Sequence, residues 1–246
     1  MRYIIIFLLV FSSGCGRASF RQVRYVSTRD VDAKELPERF AKLLPEKFSL
    51  IDTIVFKYRG RAFSGIGYTY VDTRNNIFKV ACLNPVGVKL FEITACENEV
   101  KTNFVLEKFS ELGDLSKAVA EDIKRIYFNR IPSKDAQIRK TRNKVIFRHQ
   151  KDEGILEHVF AGVDKTPPFK VSGGSICARL CPQGYEGIPM DNLLITKNYY
   201  EKERLIWSVS YYQWHNNHGK IYPAGVVFKH HRYKYELVSR LREIRP

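Results

Sequence analysis

Methionine and tryptophan are scarce in this chain, with 2 of each among 246 residues, and cysteine is little commoner at 5. So few cysteines cannot supply a disulfide scaffold, and the odd number leaves one unpaired. Acidic residues are also sparse: 26 Asp plus Glu stand against 41 Lys plus Arg, a formal charge of +15. No apolar run approaches the roughly 20 residues that a membrane-crossing helix needs. Internal repeats and low-complexity tracts are missing as well. Disorder, collagen and coiled coil are thereby excluded. What is present is ordinary for a globular protein, 44% hydrophobic and 27% charged residues, but rich in aromatics, with 14 Tyr and 16 Phe. The length allows one large or two small domains and a substantial core.

Recognisable catalytic patterns are missing too. His215 and His218 (HNNH) and the pair His230-His231 fall at turns between strands, without the helical His-Glu-His spacing of a zinc hydrolase. Gly173-Gly174-Ser175 does not join a strand to a helix and is no nucleophile elbow. Gly65-Ile66-Gly67 lacks the helix that a dinucleotide fingerprint requires. The expectation is a protein that is not an enzyme and takes no cofactor or metal.

The N-terminus reads MRYIIIFLLVFSSGCG: one cation, a short apolar run Tyr3–Phe11, then small residues up to Cys15. That run is too short to span a bilayer and fits the apolar region of a secretory signal peptide. Ser12-Ser13-Gly14-Cys15 resembles the lipobox of bacterial lipoproteins, which implies cleavage before Cys15 and lipidation of Cys15. Gly16, in place of Asp, resembles lipoproteins sent to the outer membrane, so the implied location is a periplasm-facing lipid anchor there. Residues 1–14 are then the signal peptide. In that setting the basic charge faces anionic headgroups and acidic partners. The cations are dispersed, and no nucleic-acid-binding motif accompanies them.

Beyond a polar tether at 16–33, Lys34–Leu44 places Leu36, Phe40, Leu43 and Leu44 at helical spacing, and Pro45 stops the helix. The period then changes to two. Strands are expected at Thr53–Arg59, Ala62–Asp72, Ile77–Leu83, Val88–Ala95 and Glu99–Leu106, a meander of about five. Gly65 and Gly67 share a face of the second, which implies strong coiling or close approach of a bulky group. Asp114 caps a helix over 114–130 whose stripe is Leu115, Val119, Ile123, Ile126 and Tyr127. Lys144–His149 and Ile155–Phe160 follow as strands. Residues 162–189 are rich in Gly and Pro and read as irregular loop. Arg204–Gln213, Ile221–Lys229 and Tyr233–Arg242 are strands, the last with Tyr233, Tyr235, Leu237 and Leu241 on one face. With Asn84–Gly87 as a turn, Cys82 falls opposite about residue 89. It is then roughly 23 Å from Cys96 at strand rise, too far to bridge. Cys177 and Cys181 (CARLC) can close a small disulfide ring; the alternative is that the thiols stay free.

Strand count, one mid-chain helix and no βαβ alternation predict a large antiparallel sheet with helices on its concave side. FKVACLNPVGVKLFEIT (Phe78–Thr94), the helix after it and LIWSVSYYQWHNNHGKIYPAGVVFKHHRYKYELVSRLREI (Leu205–Ile244) are similar in kind and order to the LolB family of outer-membrane lipoprotein receptors. The resemblance implies a mainly β fold, an incomplete antiparallel β-barrel of the LolA/LolB type. It would span residues 45–246, with a loop-rich insertion at about 132–190, after a lipidated tether and short helix at 15–44. It also implies binding of the acyl chains of a lipid or lipoprotein and help with transfer or insertion at the membrane, with a soluble periplasmic carrier or envelope protein as partner. The candidate inward positions are Phe63, Phe78, Val80, Phe91, Ile93, Trp207, Val209, Tyr211, Tyr233, Tyr235 and Leu237. They either line a cavity or fill a solid core. In the second case the protein is a non-catalytic structural or assembly lipoprotein.

Overall fold

The computed structural model describes residue 20 and residues 25–97, 99–107, 114–163, 188 and 190–245. Strands are β1 Tyr25–Val26, β2 Lys47–Tyr58, β3 Arg61–Asp72, β4 Ile77–Leu83, β5 Lys89–Cys96, β6 Glu99–Val105 and β7 Gln137–Lys140. They continue with β8 Lys144–Lys151, β9 Gly154–Val163, β10 Asn192–Glu201, β11 Arg204–Asn217, β12 Lys220–His230 and β13 Tyr235–Arg245. Helix α1 is Leu36–Leu43 and helix α2 is Leu115–Tyr127. The two-residue period that marks these strands places alternate side chains on opposite faces. In β4, for example, Phe78, Val80 and Cys82 are buried while Lys79 between them is exposed.

Two antiparallel meanders, β2–β6 and β7–β13, share one 13-stranded sheet. They join where the first strand of one pairs with the last strand of the other, β2 with β13. The sheet therefore begins at β6 and ends at β7 and does not close on itself. Those two edges are consecutive in sequence, and α2 lies between them. To join one edge to the other, the chain carries α2 across the concave face, where its apolar stripe finds cover. Asp114 caps the helix as its sequence implies, accepting a hydrogen bond from the Lys117 N–H at 3.0 Å. Ala120, Ile123, Ile126 and Tyr127 are buried beneath it. The fold class read from the sequence holds: mainly β, an open antiparallel barrel covered by helices.

Pro37 enters the first turn of α1, where a missing N–H costs nothing. The helix drives Phe40 into the concave face, edge-on to Phe160 at 5.2 Å and Trp214 at 5.6 Å. A fully buried Phe of this kind contributes about 3–5 kcal/mol against truncation. The glycines of β3 admit the close approach of a bulky group that their shared face implies. A Cβ on Gly67 would lie 2.3 Å from Cδ1 of Ile54, so it is the β2 side chain that makes the close approach.

Several boundaries move. The second meander is larger than the sequence reading, because β10 was not recognised: it turns Lys197 inward and shifts register between Leu194 and Thr196, which breaks the alternation. Nor were β7, whose residues are all exposed, and the two-residue β1. Three strands, β7 to β9, occupy 137–163, so that part of the 132–190 stretch belongs to the sheet. A second register shift, between Cys82 and Leu83, sets Cys82 opposite Phe91 rather than residue 89. Cys82 is buried, Cys96 is exposed, and both are free thiols.

Candidate functional site

Cross-strand register aligns one row of inward side chains along most of the sheet: Phe63, Phe56, Leu237, Phe228, Val209, Lys197, His158 and Phe147. Its two halves differ. From Phe228 to Phe147 every member is buried, under α1 and the C-terminal turn of α2. Phe63, Phe56 and Leu237 are only half-buried, as are Ile54 and Phe91 on the same inner face. The sheet is thus filled over β8–β12, and also around Phe48, Leu50, Val71, Phe78, Val80, Ile93 and Leu241 on β2–β5 and β13, and leaves an apolar strip partly open only at the other ends of β13, β2 and β3.

The eleven candidate positions divide between the filled and the open parts of the inner face. Phe78, Val80, Ile93, Trp207, Val209 and Tyr211 are buried in the core. Phe78 packs against Phe128 just beyond α2 at 6.3 Å, and Trp207 stacks on Tyr199 at 5.6 Å. Phe63, Phe91, Tyr235 and Leu237 sit at the open half. Tyr233 does not lie on the inner face: β13 begins at Tyr235, and Tyr233 occupies the preceding turn, 61% exposed. A four-residue turn between β12 and β13, with Lys234 at φ 54°, takes it out of the alternation.

Polar groups fasten α2 over the filled half. Lys197 Nζ donates to the carbonyls of Arg125 and Phe128, each at 2.7 Å. The Tyr211 hydroxyl donates to the Ile126 carbonyl at 2.6 Å. His158 Nε2 lies 2.8 Å from the Asn129 carbonyl. These contacts satisfy carbonyls that the end of a helix leaves unpaired. Burial holds the Lys197 amine well below its ordinary range. Burial, with Lys197 nearby, pushes His158 down to about 3. His158 is therefore neutral at pH 7, donating to Asn129 through Nε2.

Nearer the open half, Tyr235 donates to Asp122 at 2.6 Å and Arg125 donates to the same carboxylate at 2.9 Å. Burial raises Asp122 to about 6 despite these partners. Asp52, 3% exposed, is raised to about 7 by burial, against hydrogen bonds from Ser239 and Tyr127. The arrangement is that of a latch on a helix: its buried groups point at the backbone or at one another rather than into a cleft.

At the strand ends beyond the open half lies a groove of about 500 Å³. Tyr58, His230 and Tyr235 line it on the inner side, and Lys57, Lys229 and Glu236 on the outer side, with Arg59 and Lys234 at the turns. Burial, then Arg125, pushes His230 down to about 4. His215 and His218 lie at the opposite end of β11 from this groove. Among the described residues no three His, Cys, Asp or Glu side chains are grouped to hold a metal. Cys15, Cys177 and Cys181 lie outside the described residues.

Sequence reasoning missed Ile54 and Phe56, which contribute to the open strip. Alternation along β2 from Phe48 to Phe56 identifies both. It also missed Phe20, which is buried on the convex face, stacked on Tyr212 at 4.8 Å with the Arg240 guanidinium 5.3 Å from its ring. Gly225 makes the socket, since a Cβ there would fall 2.1 Å from the Phe20 ring.

No family model and no curated protein matches this chain. Among solved structures it is similar to a LolA superfamily protein from Nitrosomonas europaea, at 11% identity and a TM-score of 0.44, over 87% of this chain and 93% of that one. A DUF1329 family protein from Desulfovibrio piger is similar at 11% identity and a TM-score of 0.40, over 87% and 91% of the two chains. A putative outer membrane lipoprotein-sorting protein domain from Vibrio parahaemolyticus is similar at 9% identity and a TM-score of 0.41, over 87% and 91%.

Proposed function

We propose that this protein binds an acyl chain of a lipid or of another lipoprotein along the open half of its concave face, and does no chemistry on it. One observation carries the reading: Phe63, Phe56 and Leu237 continue a row of inward side chains whose other half is buried, yet remain half-exposed themselves. An apolar strip left open beside a filled core is stabilised by an apolar occupant, at about 0.8 kcal/mol per buried CH₂. In this reading Cys15 is lipidated after removal of residues 1–14 and anchors the domain to the outer membrane, facing the periplasm. A soluble carrier or envelope protein delivers the acylated cargo, and the protein helps its transfer or insertion. Cys177 and Cys181 form the disulfide that an oxidising compartment permits.

A second reading has an observation of its own. Six of the eleven candidate positions are packed into the core rather than onto a void, as in a structural or assembly lipoprotein that works through its surface.

The test is titration of the chain from residue 16, which contains every described residue, with a fluorescent fatty acyl probe. Saturable binding that Phe63→Asp and Leu237→Asp abolish without unfolding, while Phe104→Asp on the edge strand β6 leaves it intact, supports acyl-chain binding. A folded parent that binds nothing favours the structural reading.

A further inference from the structure

We infer that the adjacent tips of the β2–β3 and β12–β13 hairpins form a docking surface for the anionic face of a membrane. This goes beyond acyl-chain binding and does not rest on it. Six cations belong to these two turns and the strand ends beside them: Lys57, Arg59, Arg61, Lys229, Arg232 and Lys234. Against them stands Glu236, which Lys57 and Lys229 share at 2.9 and 3.2 Å. The neighbouring β10–β11 turn carries Glu201, Lys202, Glu203 and Arg204, whose charges cancel, and Glu201 pairs with Arg232. Among the described residues, Arg59, Arg61 and Lys234 thus keep their charge uncompensated at the very end of the sheet.

Aromatic rings stand among these cations. Tyr233, 61% exposed, is flanked in sequence by Arg232 and Lys234, and the Arg59 guanidinium lies 5.0 Å from the Tyr58 ring. Basic side chains around exposed tyrosine suit the headgroup layer, where Lys and Arg meet anionic lipid and an aromatic ring sits at the interface. The other dense basic stretch, at 134–144, has one such contact, with Lys144 Nζ 5.6 Å from the ring of Tyr25, but part of its charge is taken up by the backbone. Lys140 is spent on the carbonyls of Arg29 and Val31, at 2.7 and 2.8 Å. Docking by the hairpin tips also turns the open half of the concave face toward the bilayer, since Phe56 and Leu237 lie only two residues inside Tyr58 and Tyr235.

Vesicle flotation tests the inference, with the chain from residue 16 and either phosphatidylcholine alone or phosphatidylcholine mixed with phosphatidylglycerol. Binding is expected on the mixed vesicles only, weakening as salt is raised because screening shortens the reach of the charges. Arg59→Glu with Lys234→Glu should weaken it more than about tenfold. Lys134→Glu with Arg139→Glu changes the net charge equally on and beside the far edge strand, and should leave binding within about twofold. Circular dichroism and thermal melts establish that both doubles fold, and Tyr233→Ala gives a smaller loss by itself. No preference for anionic vesicles, or equal weakening by the two doubles, overturns the inference. So does a single-stranded oligonucleotide that binds the parent more tightly than the vesicles and loses its affinity in the tip double. Vesicle binding without acyl-probe binding leaves docking standing and removes the acyl reading; the reverse result does the opposite.

Discussion

Asp52 is the sharpest test of how α2 is held. The carboxylate is buried between β2 and the helix, accepts hydrogen bonds from Ser239 and Tyr127, and is raised by burial from 3.8 to about 7. A carboxyl group raised in the folded state binds a proton there that the unfolded chain releases. Its contribution to stability is thus complete below about pH 4 and disappears as pH rises through about 7. Between pH 5 and pH 8 the loss amounts to about 2–3 kcal/mol, a factor of roughly 30–150 in the folding equilibrium. Asp52→Asn keeps the shape and an acceptor but cannot ionise, so the difference between the two proteins isolates this group from Asp122 and from net charge. Urea unfolding should find the parent losing those 2–3 kcal/mol relative to Asp52→Asn from pH 5 to pH 8. A difference that stays flat with pH, or that favours the parent as pH rises, would refute the burial argument.

Further outcomes follow from the same structure. Tyr211→Phe removes the hydroxyl donating to the Ile126 carbonyl at 2.6 Å and should cost about 1–3 kcal/mol in chemical denaturation, because that carbonyl is left buried and unpaired. Gly225→Val fills the socket of Phe20. Limited proteolysis should then cut near residue 20 faster while the melt of the sheet barely moves; unchanged cleavage would mean that Phe20 is not held there. Palmitate labelling in a bacterial host should vanish in Cys15→Ser, and labelling that persists would place lipidation elsewhere.

Where local pattern decided structure, the sequence was readable. The β2–β6 meander followed from period-two alternation, and α2 from an N-cap with its apolar stripe. The close approach over Gly67 was legible from two glycines on one face, though not the identity of Ile54 as the side chain involved. Illegible parts depend on pairing between distant segments. β10 carries an inward lysine whose partners are helix-end carbonyls some 70 residues away in sequence, so by composition it looks wrong for a core strand. Tyr233 fits the alternation of β13 on paper, and only the length of the preceding turn removes it. The candidate site was half legible for the same reason. Alternation says which side chains face inward, whereas burial depends on how far α2 reaches, and that is set by the β2–β13 pairing.

The central claim is that an acyl chain lies along the open half of the concave face. Photo-crosslinking with a fatty acid bearing a diazirine near its methyl end, followed by peptide mapping, tests it most directly. Labels confined to the inner-face residues of β2, β3 and β13, around Ile54, Phe56, Phe63 and Leu237, and competed away by unlabelled fatty acid, are the predicted result. Labels that are absent, uncompeted or concentrated on the convex face would contradict it.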